Sequence, residues 1–564
     1  GNTTSGGTES ILLACKTYRD WGRAVKGITE PEIIVGESAH GSFLKAGEYF
    51  KIKITTIPNG SDGKVLVEAM ERAISKNTVC IVGSAPSFAH GVVDDIERMS
   101  EIAYDRNIGL HVYCCLGGFI LPFLKRIKLW NSSNLDDLPI YEPGLAEIIK
   151  RCRNKNLIFS NDVEKFISSA DMIFISVNTP TKQKGIGAGK ASDLKWVEAS
   201  ARQVALFAKG HTIVVEKSTL PVRTAEVIKE ILYSKQNLSN NKRCSSTFEV
   251  LSNPEFLAEG TAIYDLENPD RVLIGGEDND AMEALTNIYK NWVPSNKILH
   301  TNIWSSELAK LTANAFLAQR ISSINSIGAL CEATGADVRE VAKAIGYDSR
   351  IGSKFLDAGP GFGGSCFKKD ILNLVYLSEY FGLKEVANFW NSVVTFNTWH
   401  QHRISRLITK KLFGTLSGKK IVVLGFAFKS NTNDTRESAA IQICKNLIEE
   451  GAALFIHDPR VNYEQIAKDL NLKPLFLSEK DEKAKLQSLG GYWDNLESLE
   501  NAFEQADAVL VLTEWAEYKK IDWKDVSNKM RKPSWLFDSR SIIDPKKVEN
   551  TNINFWRIGD GLQL

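Results

Sequence analysis

From residue 33 to about residue 113 short apolar runs alternate with amphipathic ones: PEIIVGES, VLVEAMERAI, TVCIVGSAP, DIERMSEIAYDRN and IGLHVYC. The runs rich in β-branched residues read as strands and the stretches of helical period between them as helices, a βαβ rhythm. A second series places strands at residues 172–177, 213–215, 248–251 and 272–274, each ending in a polar turn. Open parallel sheets carry their ligand loops at the carboxyl ends of the strands, so NTPT, EKST and SNPEF are the stretches to search. Residues 305–334 are helical in pattern throughout, with Ser305 or Ser306 as the expected N-cap and Gly335 as the stop. A third α/β series follows Lys419: KKIVVLGF, ESAAIQICKNLIEEG, ALFIHDP, ADAVLVLTEW and SWLFDSR. The pattern therefore predicts an α/β protein with a helical middle and an extra α/β piece in front.

Composition adds bounds. A length of 564 residues predicts roughly three or four domains, and 69 basic against 68 acidic residues leave a formal charge of +1. No global field favours nucleic acid or an acidic membrane, so an anionic ligand must be caught locally. The nine cysteines are scattered and form no C-x-x-C pair, which suits a reducing compartment and predicts neither a disulfide framework nor a metal site. The longest apolar run, residues 114–124, is too short to span a bilayer. Together these features predict a cytoplasmic protein.

One stretch, GPGFGGSCFKKD at residues 359–370, satisfies G-x-G-x-x-G in its first six letters. A dinucleotide turn needs a strand before the first glycine and a helix after the last. Here IGSKFLDA precedes it, which is no buried strand, so the cofactor reading fails. A glycine loop ending in cysteine has another use: it lets a substrate reach a thiol. Lys368 and Lys369 would favour the thiolate of Cys366, while a small buried hydrophobe is the commoner fate of a free cysteine. The residues alone leave both readings open.

GPGFGGSCFKKD, with VNTPT, EKSTLPVR, SNPEFLAEGTAIYDLENPDRVLIGG, SSELAKLTANAFLAQRISSINS, GFAFKSNTNDTRES and FDSR, resembles the UDP-glucose 6-dehydrogenases from about Arg126 onward. That resemblance implies NAD-dependent, two-step oxidation of UDP-glucose to UDP-glucuronate, through a thiohemiacetal and a thioester on Cys366. It assigns Lys310 and Asn314, four apart on a helix face, as oxyanion donors, and Asp370, Thr219 and Glu255 to the hydrolytic step. Glu259, Arg350, Phe362, Gly363, Lys429 and Arg540 become substrate contacts, with Arg350 supplied across a subunit interface. Arg126, Val177, Asn178, Thr179, Pro180 and Arg436 become NAD contacts. A homo-oligomer built from dimers, up to a hexamer, is implied as well.

The family's opening strand, G-x-G-x-x-G turn and helix have no counterpart here. In their place, residues 1–125 resemble the pyridoxal-phosphate lyases that cleave sphingosine 1-phosphate, through TSGGTESILLACKTYRD, ESAHGSF, APSFAHG and LHVYCCLGGFILPFL. By that resemblance Gly7 and Thr8 hold a cofactor phosphate and His40 stacks on the pyridine ring. The carboxylate expected after His111-Val112 is Tyr113 instead, and the family's Schiff-base lysine lies beyond the join, so no lyase turnover is expected. The expected organisation is a lyase-like fragment (1–125), a truncated NAD-binding Rossmann domain (126–302), a central helical dimerisation domain (303–413) and a Rossmann-like UDP-binding domain (414–564). The second reading is an inactive join of two incomplete folds.

Overall fold

The computed structural model describes residues 7–87, 92–114, 129–135, 138–234, 246–475 and 490–563. The chain divides into two units, one of Gly1–Pro139 with Ile158–Asn161 and one of Ile140–Leu157 with Asp162–Leu564. The first holds a parallel sheet ordered β2-β1-β3-β4, from β1 (Glu32–Gly36), β2 (Lys53–Ile57), β3 (Thr78–Ser84) and β4 (Gly109–Tyr113). Side chains alternate across a strand, so β1 feeds two cores. Ile33 and Val35 pack with Ile11 and Cys15 of α1 (Gly7–Lys26) and Phe43 of α2 (Ser42–Phe50). Ile34 packs with Met70 of α3 (Val67–Ala73) and Met99 of α4 (Ile96–Asp105). Helices on both faces explain why β1 and β3 are continuous apolar runs.

The second unit opens with two short helices, α5 (Leu145–Cys152) and α6 (Val163–Ile167). A five-stranded sheet follows: β5 (Met172–Ile175), β6 (His211–Glu216), β7 (Thr247–Ser252), β8 (Val272–Gly275) and β9 (Ile298–Thr301), in chain order across the sheet. Only β7 and β8 run antiparallel, joined at Ser252 and Gly275. Helices α7 (Lys195–Phe207), α8 (Thr224–Ser234), α9 (Ala262–Glu267) and α10 (Asn279–Tyr289) connect the strands. β6 is buried almost throughout, whereas β5 is an edge whose Phe174 remains 42% exposed.

The long helix α11 (Ile303–Thr334) has 32 residues, about 48 Å at 1.5 Å per residue. Its N-cap is Asn302, whose side chain accepts the N–H of Ser305 at 2.8 Å. The expected cap, Ser305 or Ser306, lies inside the helix, because Asn302 has the extended backbone that capping requires. Gly335 ends it at φ +83°, as its sequence position predicts. Along its length Glu307 accepts the N–H groups of Arg223 and Ala225 (2.7 and 2.9 Å), Asn325 that of Gly359 (2.8 Å) and Glu332 that of Gly559 (2.8 Å). One rod thus touches the loop after β6 of the five-stranded sheet, the glycine loop and the last sheet. Helices α12 (Val338–Gly346), α13 (Phe367–Tyr380) and α14 (Lys384–Lys411) complete the middle.

The last sheet comprises β10 (Lys420–Leu424), β11 (Ala453–His457), β12 (Tyr492–Asn495), β13 (Ala508–Val511), β14 (Ser534–Asp538) and β15 (Ile553–Arg557), all parallel and ordered β12-β11-β10-β13-β14-β15. Its helices include α15 (Ala439–Glu449), α16 (Tyr463–Leu470) and α17 (Trp523–Lys529). Strand order reverses at β10, which places a crevice beyond the carboxyl ends of β10 and β13. Both strands are fully buried, each large side chain contributing roughly 1.5–3 kcal/mol of apolar burial. Among the described residues no helix is long and apolar enough to cross a membrane, and all seven cysteines are unbridged.

Candidate functional site

The glycine loop lies between α12 and α13, and residues 351–358 before it form no strand, so it is not a dinucleotide turn. Buried polar side chains hold its backbone. His400 Nε2 donates to Gly359 O at 2.9 Å, and the Asn397 amide takes both backbone groups of Phe362, accepting N–H at 2.9 Å and donating to C=O at 3.1 Å. Burial, reinforced by the nearby Arg403 charge, drops His400 to about 4, leaving it a neutral donor at ordinary pH. Gly361 sits at φ +127°, and a Cβ at Gly363 would lie 2.6 Å from Glu437 O, so these positions require glycine. The result is a fixed loop that delivers half-buried Cys366 to the N-cap of α13.

Burial pushes the Cys366 thiol up. The contact from Ser365 pulls the other way, Asp370 adds to the rise, and Lys369 and Lys310 oppose it. Of the two lysines expected to favour the thiolate, Lys369 does pull the thiol down but burial outweighs it, while Lys368 is paired with Glu437 at 2.8 Å. Cys366 Sγ lies 3.4 Å from Ser365 Oγ, which donates to Glu259 Oε1 at 3.2 Å.

Lys310 and Asn314 do share a face of α11, and both are buried. Asn314 donates to Asp370 Oδ2 at 2.6 Å, and Lys310 Nζ lies 3.5 Å from Glu255. Burial raises Asp370 against the pull of Lys369, the Asn314 amide and Lys310. Lys369 Nζ donates to Thr179 Oγ1 at 3.2 Å, and Thr179 donates to Thr219 O at 3.1 Å. The loops after β5 and β6 therefore join the N-terminus of α13. Ser218 Oγ fixes the former by donating to Val177 O at 2.6 Å, and Asn178 and Pro180 belong to that same loop.

A second carboxylate cluster reaches the thiol through Ser365. Burial, then the charge of Asp434, lift Glu259 to about 7, with Arg436 and Ser365 opposing. Arg436 grips Asp434 at 2.6 Å and reaches Glu259 at 3.5 Å. Glu142 holds the Glu259 loop by accepting the N–H groups of Gly260 and Ala262 at 2.8 and 2.7 Å.

At the crevice of the last sheet, Arg540 donates to Leu512 O (2.8 Å) and Phe428 O (2.7 Å) and pairs with Glu514 (3.2 Å). Lys429 Nζ lies 5.5 Å from the Phe428 ring centre, and Phe428 packs on Gly364, so crevice and glycine loop are continuous. Arg350 is not part of this assembly: its side chain is 87% exposed and forks onto Asp348 of its own loop. Arg126 lies outside the described residues.

The residues present fit the reactive end of NAD: the loops after β5 and β6 reach the start of α13 through Lys369, and Glu259 with Arg436 reaches it through Ser365. Among the described residues of the five-stranded sheet, β5 has β6 as its one neighbour and no strand–glycine turn–helix precedes it, so none of these residues offers the cradle of amides that a pyrophosphate takes. Pyridoxal phosphate does not fit the first unit. Tyr113 ends β4 with its ring 5.5 Å from that of His40, where a pyridinium needs a carboxylate. Thr8 Oγ1 accepts from Ser42 Oγ at 3.2 Å, and Gly7 begins α1.

Sequence reading missed Ser365, Lys217, Glu142, Asn325, Asn397 and His400. Lys217 donates to Asn253 and Tyr289 at 3.0 and 3.1 Å, and burial lowers it to about 8. The signal for Asn397 and His400 was available: both continue the buried stripe of Trp390 and Val393 on α14, where a polar residue must have a partner.

Three models of the UDP-glucose/GDP-mannose dehydrogenase family match the chain: its NAD-binding domain over residues 124–293, central domain over 304–399 and UDP-binding domain over 422–545. Residues 3–114 match an aminotransferase class-V model. The chain is 52% identical over 443 residues to a UDP-glucose 6-dehydrogenase of Drosophila melanogaster, covering 78% of this chain and 90% of that protein. Against UDP-glucose 6-dehydrogenase 3 of Oryza sativa subsp. japonica it is 51% identical over 447 residues, with the same coverage. A solved UDP-glucose dehydrogenase from Pyrobaculum islandicum superposes with a TM-score of 0.63 at 26% identity, over 95% of this chain and 99% of that one.

Proposed function

Because the chain belongs to the UDP-glucose/GDP-mannose dehydrogenase family, we propose that it oxidises UDP-glucose to UDP-glucuronate in two NAD-dependent steps at Cys366. The observation that carries this is the convergence of Cys366, Asn314, Asp370, Lys310 and Glu255 at one helix terminus. NAD, when bound, takes up the hydride in each oxidation. The Cys366 sulfur forms a bond to the C6 aldehyde carbon, and the carbonyl electron pair moves to oxygen. Lys310 and Asn314 donate to that oxygen, and Asp370 keeps the Asn314 amide aimed. Glu255 and Thr219 orient the water that opens the thioester. Lys429 and Arg540 hold the diphosphate end, with Phe362 and Gly363 along the sugar.

The exposure of Arg350 supports its donation to a neighbouring copy, and hence a homo-oligomer built from dimers. Val177, Asn178, Thr179, Pro180 and Arg436 form the NAD side of this proposal, which also includes the domain limits 1–125, 126–302, 303–413 and 414–564 and a cytoplasmic location. The edge position of β5 favours a second reading, a body that binds UDP-glucose without turning it over. Purified chain given UDP-glucose and NAD separates them. Two NADH per sugar, lost in Cys366→Ser, supports turnover; UDP-glucose binding without NADH supports the second reading.

A further inference from the structure

The Cys366 thiol is buried enough to resist ionisation, yet the reaction needs it as a nucleophile, so its proton requires an exit. The contacts around it define one. Ser365 has a single hydroxyl proton, and the geometry commits it to Glu259 Oε1 at 3.2 Å. In the remaining contact, 3.4 Å between Ser365 Oγ and Cys366 Sγ, either group can donate, and while the Ser365 proton lies on Glu259 the thiol is the donor and the hydroxyl oxygen the acceptor. The arrangement is a directed line: Sγ–H to Oγ, Oγ–H to Oε1.

We infer that Ser365 is a further catalytic residue, a relay through which the Cys366 proton passes to Glu259. The Sγ–H bond breaks with its electron pair left on sulfur, and the proton goes to Ser365 Oγ. Ser365's own proton moves to Glu259 Oε1, giving thiolate and carboxylic acid with no net change in charge. The sulfur pair then forms the bond to an electrophilic carbon. After the shift Ser365 donates back to the thiolate, in keeping with its lowering effect on that thiol.

The groups facing the line set its balance. Lys369 and Asp370 face the sulfur from α13, Lys310 from α11 and Arg436 from the loop after β10. Asp434 and Arg436 face Glu259. Burial and Asp434 make Glu259 a base that titrates near 7, whereas an ordinary surface carboxylate is too weak a base for a raised thiol.

This inference rests on Cys366 as the nucleophile, but its test needs neither NAD nor UDP-glucose. Alkylation of Cys366 by iodoacetamide, followed by mass spectrometry of its peptide from pH 6 to 10, reads the proton path directly. Wild type is expected to show a shoulder near pH 7, where Glu259 becomes a base, below the thiol's own rise. Ser365→Ala and Glu259→Gln should each erase the shoulder, slowing alkylation at pH 8 about tenfold, and the double variant should be no slower than either. Ser365→Thr, which keeps the hydroxyl, should restore it, and that separates a lost relay from a disturbed fold. Simple electrostatics predicts the reverse for Glu259→Gln, since removing a negative charge eases thiol ionisation. Faster alkylation in that variant, or a shoulder that survives Ser365→Ala, overturns the relay and leaves the dehydrogenase reading untouched.

Discussion

The two sheets of the larger unit use the same kind of buried parallel strand and reach different ends. In the last sheet, β10 has a neighbour on each side, strand order reverses there, and Arg540, Glu514 and Lys429 gather where the loops part. The sheet of β5–β9 runs in chain order from an exposed edge, with no reversal among the described residues. Its loops still reach the helix that carries Cys366, through the Lys369–Thr179 contact, while α11 reaches it through Asn314 and Asp370. On the proposed function, reacting groups and cofactor grip are separable parts of such a sheet, and how far each is present is a matter for measurement.

That contrast can be tested where it is strongest. Replacing Arg540 by alanine strips two carbonyls and the partly buried Glu514 of their partner, a loss of about 4 kcal/mol. UDP-glucose binding should weaken at least a hundredfold by calorimetry, and an unchanged affinity would deny the crevice its role. Next, Leu510→Ala in fully buried β13 should cost about 3 kcal/mol in urea unfolding, against less than about 1 kcal/mol for Phe174→Ala on β5. Equal losses would mean that β5 is no edge. NADH fluorescence should then give an affinity about a hundredfold below that of the Drosophila relative, roughly 2.7 kcal/mol; equal affinity would show a pyrophosphate site supplied elsewhere.

The smallest effect isolates the His400 contact that holds the glycine loop at Gly359. His400 is held near 4 when folded against an ordinary 6.5, so the unfolded chain binds the extra proton first and stability falls as pH drops below 6.5. Between pH 6.5 and 5 the loss should be roughly 2 kcal/mol, and His400→Asn should flatten that slope in urea titrations. A wild-type profile already flat would mean that His400 charges inside the fold.

Much of this architecture was legible because doubly covered parallel strands are continuous β-branched runs. The four strands the pattern passes over, β2, β9, β12 and β15, are all sheet edges. KITTI, ILHT and INFWR mix polar and apolar residues because an edge meets water, and YWDN, buried at its first three positions, carries no β-branched residue to mark it. At the site, the motif residues were readable by resemblance, but the state of Cys366 was not. Sequence counts the lysines nearby; it does not say that Lys368 is taken by Glu437 or that burial outweighs both. Ser365 stood in plain view beside the cysteine, and only the distance to Glu259 gave it a task.

The rod α11 sets a rule about how this chain can change its length. Deleting one residue between Glu307 and Glu332 would turn everything beyond the cut by about 100° and draw it in by about 1.5 Å. Lys310 and Asn314, or Asn325 and Glu332, would then face the wrong neighbours together. Loops that carry none of the site's side chains can lengthen or shorten without penalty to it, so drift in size is confined to them, and this helix serves the molecule as its gauge.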